Sequence, residues 1–315
     1  MLKLYSYNTF NLGDDIQTLA VMQHGVCDGF IERDLIGYHT EKSPVRMILF
    51  GWHMNDILCW LRTQYRFQLL TRATRLLARL VPRRFRHYLY AWPPSADIEP
   101  LLISMHCTKA FQEAMSPASI AYFKKHQPVG CRDLLTQDFF EKNGVEAYFS
   151  GCLTLTLKKE NFAAPRFSPN EKPRIYLVDI PGCETKEDTL FKSLPACIRE
   201  YAEFLTHATK LTDLKQRHDA ARQLLARYTD ADLVITSRLH CALPCVAFGT
   251  PVLFFHGNLA DSRFAGLLDH VHHHPMDAFT QVLHGFDLSN IPANPPRPEA
   301  LIQRLEHSCR AFASA

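Results

Sequence analysis

No uninterrupted apolar stretch of about 20 residues, the length needed to cross a bilayer, occurs in this chain, and no secretory leader precedes Tyr5. A membrane-spanning or exported protein is therefore not expected. Zinc, EF-hand and Walker patterns are absent, so no metal or nucleotide cofactor is expected from motifs. Internal repeats and low-complexity tracts are missing too, which excludes solenoids and long disordered linkers. The net charge is only +3, too small to imply a nucleic-acid partner. The ten cysteines are scattered without the paired spacing of a zinc site. Scattered thiols with no export signal suit a reduced cytoplasm, and packing explains those on apolar segments.

What is present is an ordinary globular composition, 47% hydrophobic and 21% charged, over 315 residues. That length suits two domains of about 150 residues each. Strand candidates at Leu2–Tyr7, Arg46–Gly51, Leu101–Met105, Val129–Cys131 and Ala147–Phe149 alternate with helices at about Asp14–Met22, Pro117–Lys125 and Leu134–Asn143. The alternation predicts a parallel sheet covered by helices. Lys158–Pro173 is polar, contains three prolines and reads as a linker. Beyond it the pattern restarts with a strand at Arg174–Ile180 and helices at about Leu194–Thr206 and Asp213–Tyr228. A closing amphipathic helix runs from Pro298 to about Phe312. The expected organisation is two Rossmann-like α/β domains, residues 1–160 and 173–315, facing across a cleft.

The most informative stretch is Asp232–Phe255, DLVITSRLHCALPCVAFGTPVLFF. An apolar run ends at Thr236-Ser237, then Arg238 and His240 precede a small-residue helix from Cys241 to Phe248. Gly249-Thr250-Pro251 turns it into a second apolar run, Val252–Phe255. Ligands of parallel sheets sit at the carboxyl ends of strands, against the following helix. Arg238 and His240 fall there, combining a fixed cation and a titratable imidazole with a helix amino terminus. Near the start, Asn11, Gly13 and Asp14 form a loop leading into a helix. Glycine admits close backbone approach of a ligand, and Asn11 or Asp14 is suited to capping the helix. Arg132, in VGCRD, lies between a short strand and a helix, also at a strand's carboxyl end.

Three pieces in order, NTFNLGDDIQTLA (Asn8–Ala20), PVGCRDLLTQDFFEKNGVEAYFSGCLTLTL (Pro128–Leu157) and the SRLH segment, resemble the signatures of the polysaccharide pyruvyl transferase family. The family's architecture is of the glycosyltransferase-B type, in agreement with the strand and helix pattern. Its reaction forms a ketal from phosphoenolpyruvate and two sugar hydroxyls, releasing phosphate. The resemblance implies His240 as general acid, Arg132 and Arg238 as contacts to the donor's carboxylate and phosphate, and Asp14 as a base toward an acceptor hydroxyl or as a cap. It implies that Asn11, Gly13, Ser150 and Gly151 line the substrate site. Family members often carry a lysine near DSRF; here Arg263 is the nearest match. The implied partners are phosphoenolpyruvate and a lipid-linked or nucleotide-linked glycan.

One region, at about residues 56–92, reads as an insert in the first domain. Ile57 to Ala96 holds eight arginines and no acidic residue. Arg72, Arg75 and Arg79 recur on one helical stripe beside Leu76 and Leu80, which suits an anionic membrane surface or an acceptor. A peripheral position on the inner face of the cytoplasmic membrane is the resulting expectation. Two other readings remain open from residues alone. One is a glycosyltransferase of the same fold, with Arg238 on a nucleotide-sugar diphosphate and Glu184 on its ribose. The other is a non-catalytic glycan-binding module, against which the retained Arg132, Arg238 and His240 argue. His272-His273-His274 reads as an exposed cluster without metal, and His53 and His106 as strand-end residues, either lining the site or packed in the core.

Overall fold

The computed structural model describes residues 1–39, 44–53, 92–113, 115–163 and 172–315. The arginine-rich insert, with Arg72, Arg75 and Arg79, lies outside the described residues, as do residues 164–171 of the expected linker.

The contacts divide the chain into two compact units. Residues 1–9, 21–151 and 304–315 form the first, and residues 10–20 and 152–303 the second. This differs from a simple division at the linker, because two segments exchange. The closing helix α10 (Glu299–Ser314) packs its last turns into the first unit, where Ala313 lies against Gly25 and Arg46 stacks over Phe312 at 4.3 Å. Most of helix α1 (Leu12–Met22) belongs to the second unit, tied there by a buried ion pair described below.

The first unit holds a six-stranded sheet in the order β2-β1-β3-β4-β5-β6. Its strands are β1 (Leu2–Ser6), β2 (Gly29–Glu32), β3 (Val45–His53), β4 (Ile98–Cys107), β5 (Val129–Cys131) and β6 (Ala147–Phe149). Every pairing is parallel, as the strand–helix alternation requires. Helices α2 (Lys109–Glu113), α3 (Pro117–Lys125) and α4 (Leu134–Lys142) connect the last three strands. The short edge strand β2, with one buried residue in four, escaped the sequence reading because Phe30 and Ile31 are too few to show a period.

The second unit holds a five-stranded parallel sheet, β11-β10-β9-β7-β8. Strands β7 (Ile175–Val178), β9 (Leu233–Thr236) and β10 (Val252–His256) are almost wholly buried, which explains their period-free apolar sequences. One sequence expectation is corrected here. Leu194–Thr206 is not one helix: helices α5 (Thr189–Lys192) and α6 (Ala196–Tyr201) are followed by strand β8 (Ala202–Leu205). Pairing with β7 and burial of Ala202, with Phe204 against Phe191 at 5.2 Å, override the weak helical pattern. Long helix α7 (Leu214–Asp230) and helices α8 (Leu239–Phe248) and α9 (Phe279–His284) complete the unit.

The histidine run forms the edge strand β11 (His272–Pro275) beside β10. Successive side chains of a strand face opposite ways, so the three rings do not converge. His272 donates to the Ala293 carbonyl at 2.8 Å and His273 to the Val271 carbonyl at 3.0 Å. No helix among the described residues is long and apolar enough to cross a membrane.

Candidate active site

Strands β9, β7 and β8 end level with one another, because Thr236, Val178 and Leu205 share a register row. The residues just past those ends therefore meet. Thr236 donates its hydroxyl to the Val178 carbonyl at 3.1 Å and accepts from the Arg238 amide at 3.0 Å. Ser237 donates to the Asp179 carbonyl. Arg238 is the N-cap residue of α8 in an extended conformation. Its side chain, about half exposed, donates from Nε to Asp179 Oδ2 at 3.0 Å, and no described residue engages its two terminal nitrogens.

Helix α8 begins earlier than the small-residue run suggests, so His240 lies in its first turn. The first intrahelical bonds run from Cys241 and Ala242 to the Arg238 carbonyl, and the amides of Leu239 and His240 precede them. A helix start of this kind attracts an anion. From Cys241 to Phe248 every side chain is buried, which fixes the helix and hence its first turn. Pro244 cannot donate to the His240 carbonyl, four residues back, so the regular ladder is interrupted at the histidine. Gly249 closes the helix in the left-handed region at φ 71°, and the Thr250 amide returns to the Cys245 carbonyl.

The start of α1 meets this turn within the same unit. Asn11 Oδ1 accepts from the Gly13 amide at 3.0 Å, in the manner of a cap, whereas Asp14 is buried in the first turn. A β-carbon on Gly13 would stand 3.2 Å from both Cβ and Nδ1 of His240, so glycine is what lets the loop approach the ring. The segment is tied to the β8 end by the Leu12 amide on the His207 carbonyl, 2.8 Å, and by an antiparallel bridge of Asn11 with Ala208. Beneath it Arg217 of α7 grips Asp15 with two bonds, 2.6 and 3.1 Å, and both side chains are almost fully buried. Asn11, Gly13, Asp14, Arg238 and His240 are thus gathered in the second unit.

Arg132, Ser150 and Gly151 belong to the first unit. Arg132 follows β5 and precedes Asp133, the N-cap of α4. Asp133 is fully committed elsewhere: Oδ1 accepts from the Thr136 amide at 2.9 Å, and Oδ2 pairs with His106 Nδ1 at 2.6 Å. Arg132 is only 2% exposed, its Nε has no hydrogen-bond partner among the described residues, and no described carboxylate pairs with it. A buried guanidinium is costly to a fold unless a counter-charge or hydrogen-bond partners meet it. Ser150 accepts from the Ser104 amide and donates to the Cys131 carbonyl, both 3.0 Å, so its hydroxyl clips β4 to β5. Gly151 turns the chain at φ 71°.

Other sequence candidates find local partners. Arg263 pairs with Asp261 through two bonds of 2.9 and 2.8 Å, and Glu184 is an exposed loop carboxylate that accepts from the Gly182 amide. His53 is buried in an aromatic cluster, 4.8 Å from the Trp92 ring, and burial pushes its pKa well below the ordinary histidine range. His106 and His53 are therefore core residues of the first unit. Sequence reasoning missed Asp179, His207 and the Arg217–Asp15 pair. Only Asp179 left a signal, as a polar residue directly after an apolar strand.

Residues 11–256 match the family model described as polysaccharide pyruvyl transferase. No curated protein matches the chain. Among solved structures, a functionally uncharacterised protein from Klebsiella pneumoniae is similar at 12% identity and TM-score 0.42, covering 83% of this chain and 86% of that one. The glycotransferase of kitacinnamycin is similar at 11% identity and TM-score 0.30, with 99% and 95% covered.

Proposed function

Because the chain belongs to the polysaccharide pyruvyl transferase family, we propose that it moves the pyruvyl group of phosphoenolpyruvate onto a sugar of a bacterial surface polysaccharide, carried on a lipid-linked or nucleotide-linked glycan. In that reaction a proton is delivered to the donor's methylene carbon, which becomes a methyl group. The adjacent carbon turns cation-like and takes a sugar hydroxyl. Phosphate leaves, and a second hydroxyl closes the ketal, so the two hydroxyl protons balance the one used and the one carried off with phosphate.

The observation that carries this reading is the pairing of His240, in the first turn of α8, with the Asp179-tethered Arg238 at its cap. His240 is assigned the proton delivered to the methylene, histidine being the side chain that exchanges protons near neutral pH. The two terminal nitrogens of Arg238 suit a carboxylate or phosphate of the donor. Arg132 is assigned a second anion contact, and Asp14 a role toward the acceptor hydroxyl. Calorimetric titration with phosphoenolpyruvate and with several nucleotide sugars tests the donor. Binding of phosphoenolpyruvate, with glycan-dependent phosphate release, is the expected result; binding of a nucleotide sugar with no binding of phosphoenolpyruvate would overturn it.

Two further results are expected. Gly13→Ala should lower turnover several-fold, since its β-carbon would press on Asn11 Oδ1 and on His240, which must give way slightly, and misplacing a catalytic group is costly, while the melting temperature changes little. Steady-state kinetics beside a thermal melt checks both. The arginine-rich insert is proposed to dock the enzyme on anionic lipid at the inner face of the cytoplasmic membrane. The protein should co-sediment with anionic vesicles at low salt and detach as salt rises, because exposed charges are screened over about 8–10 Å at physiological ionic strength. Changing Arg72, Arg75 and Arg79 together to Glu should abolish sedimentation but preserve activity on a short soluble acceptor.

A further inference from the structure

We infer that Asp179 is the positioning residue for the donor-binding guanidinium of Arg238, an inference that rests on the donor reading above. Asp179 directly follows β7, at the level where β9 and β8 also end. Its backbone is in the left-handed region at φ 49°, which aspartate tolerates better than most residues and which returns both its carbonyl and its carboxylate to the same turn. Each acceptor is then used. The carbonyl takes the Ser237 hydroxyl, Oδ1 takes the Thr206 hydroxyl at 2.6 Å, and Oδ2 takes the His207 amide and Arg238 Nε, both at 3.0 Å.

The consequence for Arg238 is geometric. A guanidinium held by Nε alone keeps its outer edge, with two terminal nitrogens, available for a planar anion. An arginine without that tether would lose more rotamer freedom on binding, because its long side chain samples many conformations. Asp179 is anionic throughout the neutral range. Burial pushes its carboxyl up, but the Thr206 hydroxyl, the His207 amide and the Arg238 guanidinium outweigh burial and hold it below the usual carboxylate range. The same carboxylate also anchors the loop that follows β8. His207, whose amide it accepts, offers its own carbonyl to the Leu12 amide at the start of α1, beside Asn11 and Gly13. Its ring bonds the Tyr228 hydroxyl at 2.8 Å.

The test is a double-mutant cycle on phosphoenolpyruvate affinity, measured by calorimetry, with thermal melts to establish folding. Arg238→Ala is expected to weaken binding by about tenfold or more, and Asp179→Asn by about five- to tenfold, through a raised KM with turnover at saturation little changed. The double variant should bind no more weakly than Arg238→Ala alone, because the tether has nothing left to hold. A purely structural Asp179 would cost the same in both backgrounds, and that result overturns the inference, as does unchanged affinity in Asp179→Asn. Unchanged affinity in Arg238→Ala would instead overturn the donor reading beneath it. Should Asp179→Asn fail to fold, Arg238→Lys decides. A lysine has no second edge to present once Asp179 holds it, so it should behave like the alanine variant, and native affinity would show the tether to be idle.

Discussion

His240→Gln is expected to lower turnover by about 10²–10⁴-fold while phosphoenolpyruvate affinity changes little, the signature of a lost proton donor. Glutamine keeps much of the volume and one donor group, so the first turn of α8, buried from Cys241 onward, should hold its place. A β-carbon at Gly13 would meet the histidine Cβ as well as its ring, so the close approach there involves an atom that survives in the variant. A turnover loss with intact folding and intact donor binding therefore isolates the chemistry. If the variant bound the donor poorly yet turned over normally at saturation, His240 would be a binding residue.

Arg132→Met should weaken phosphoenolpyruvate binding by roughly 10- to 150-fold, the equivalent of a charged hydrogen bond worth about 1.5–3 kcal/mol. The same change should make the ligand-free protein more stable, by about 1 kcal/mol or more. The reason is that a nearly inaccessible guanidinium whose Nε has no described partner is replaced by an apolar side chain of similar length. Opposite signs in stability and affinity are the expected outcome of a site that stores an unmet charge for its ligand. A destabilised Arg132→Met with native affinity would mark the arginine as a structural residue instead. Denaturant unfolding with and without donor reads both quantities.

The parallel architecture was legible because β7, β9 and β10 are buried on both faces, which leaves period-free apolar runs in the sequence. Helices were legible where a cap or glycine marks an end: Ser116 before α3, Asp133 before α4, Asp213 before α7 and Gly249 after α8. Of the edge strands, β6 was read at Ala147–Phe149, but β8 and β11 were not, because they expose one side and carry Glu203 or a run of histidines in place of apolar alternation. Arg238 and His240 could be placed from local sequence, since a strand end and a helix start are adjacent in the chain. Asp179 and Arg217 could not. Their partners lie 59 and 202 residues away, and only the register of β7 against β9, and the packing of α1 on α7, bring them together. The exchanged segments at the two ends were hidden for the same reason: what binds them is distant in sequence.

The central claim is that a proton is delivered to the methylene carbon of phosphoenolpyruvate as its pyruvyl group passes to a glycan. Running the reaction in deuterium oxide and reading the product by proton and deuterium NMR tests it most directly. The account predicts a ketal whose methyl group carries a solvent-derived deuteron, formed in step with released phosphate and lost together with turnover in His240→Gln. A glycan product formed only from a nucleotide sugar, with release of a nucleoside diphosphate and no new methyl signal, would contradict it.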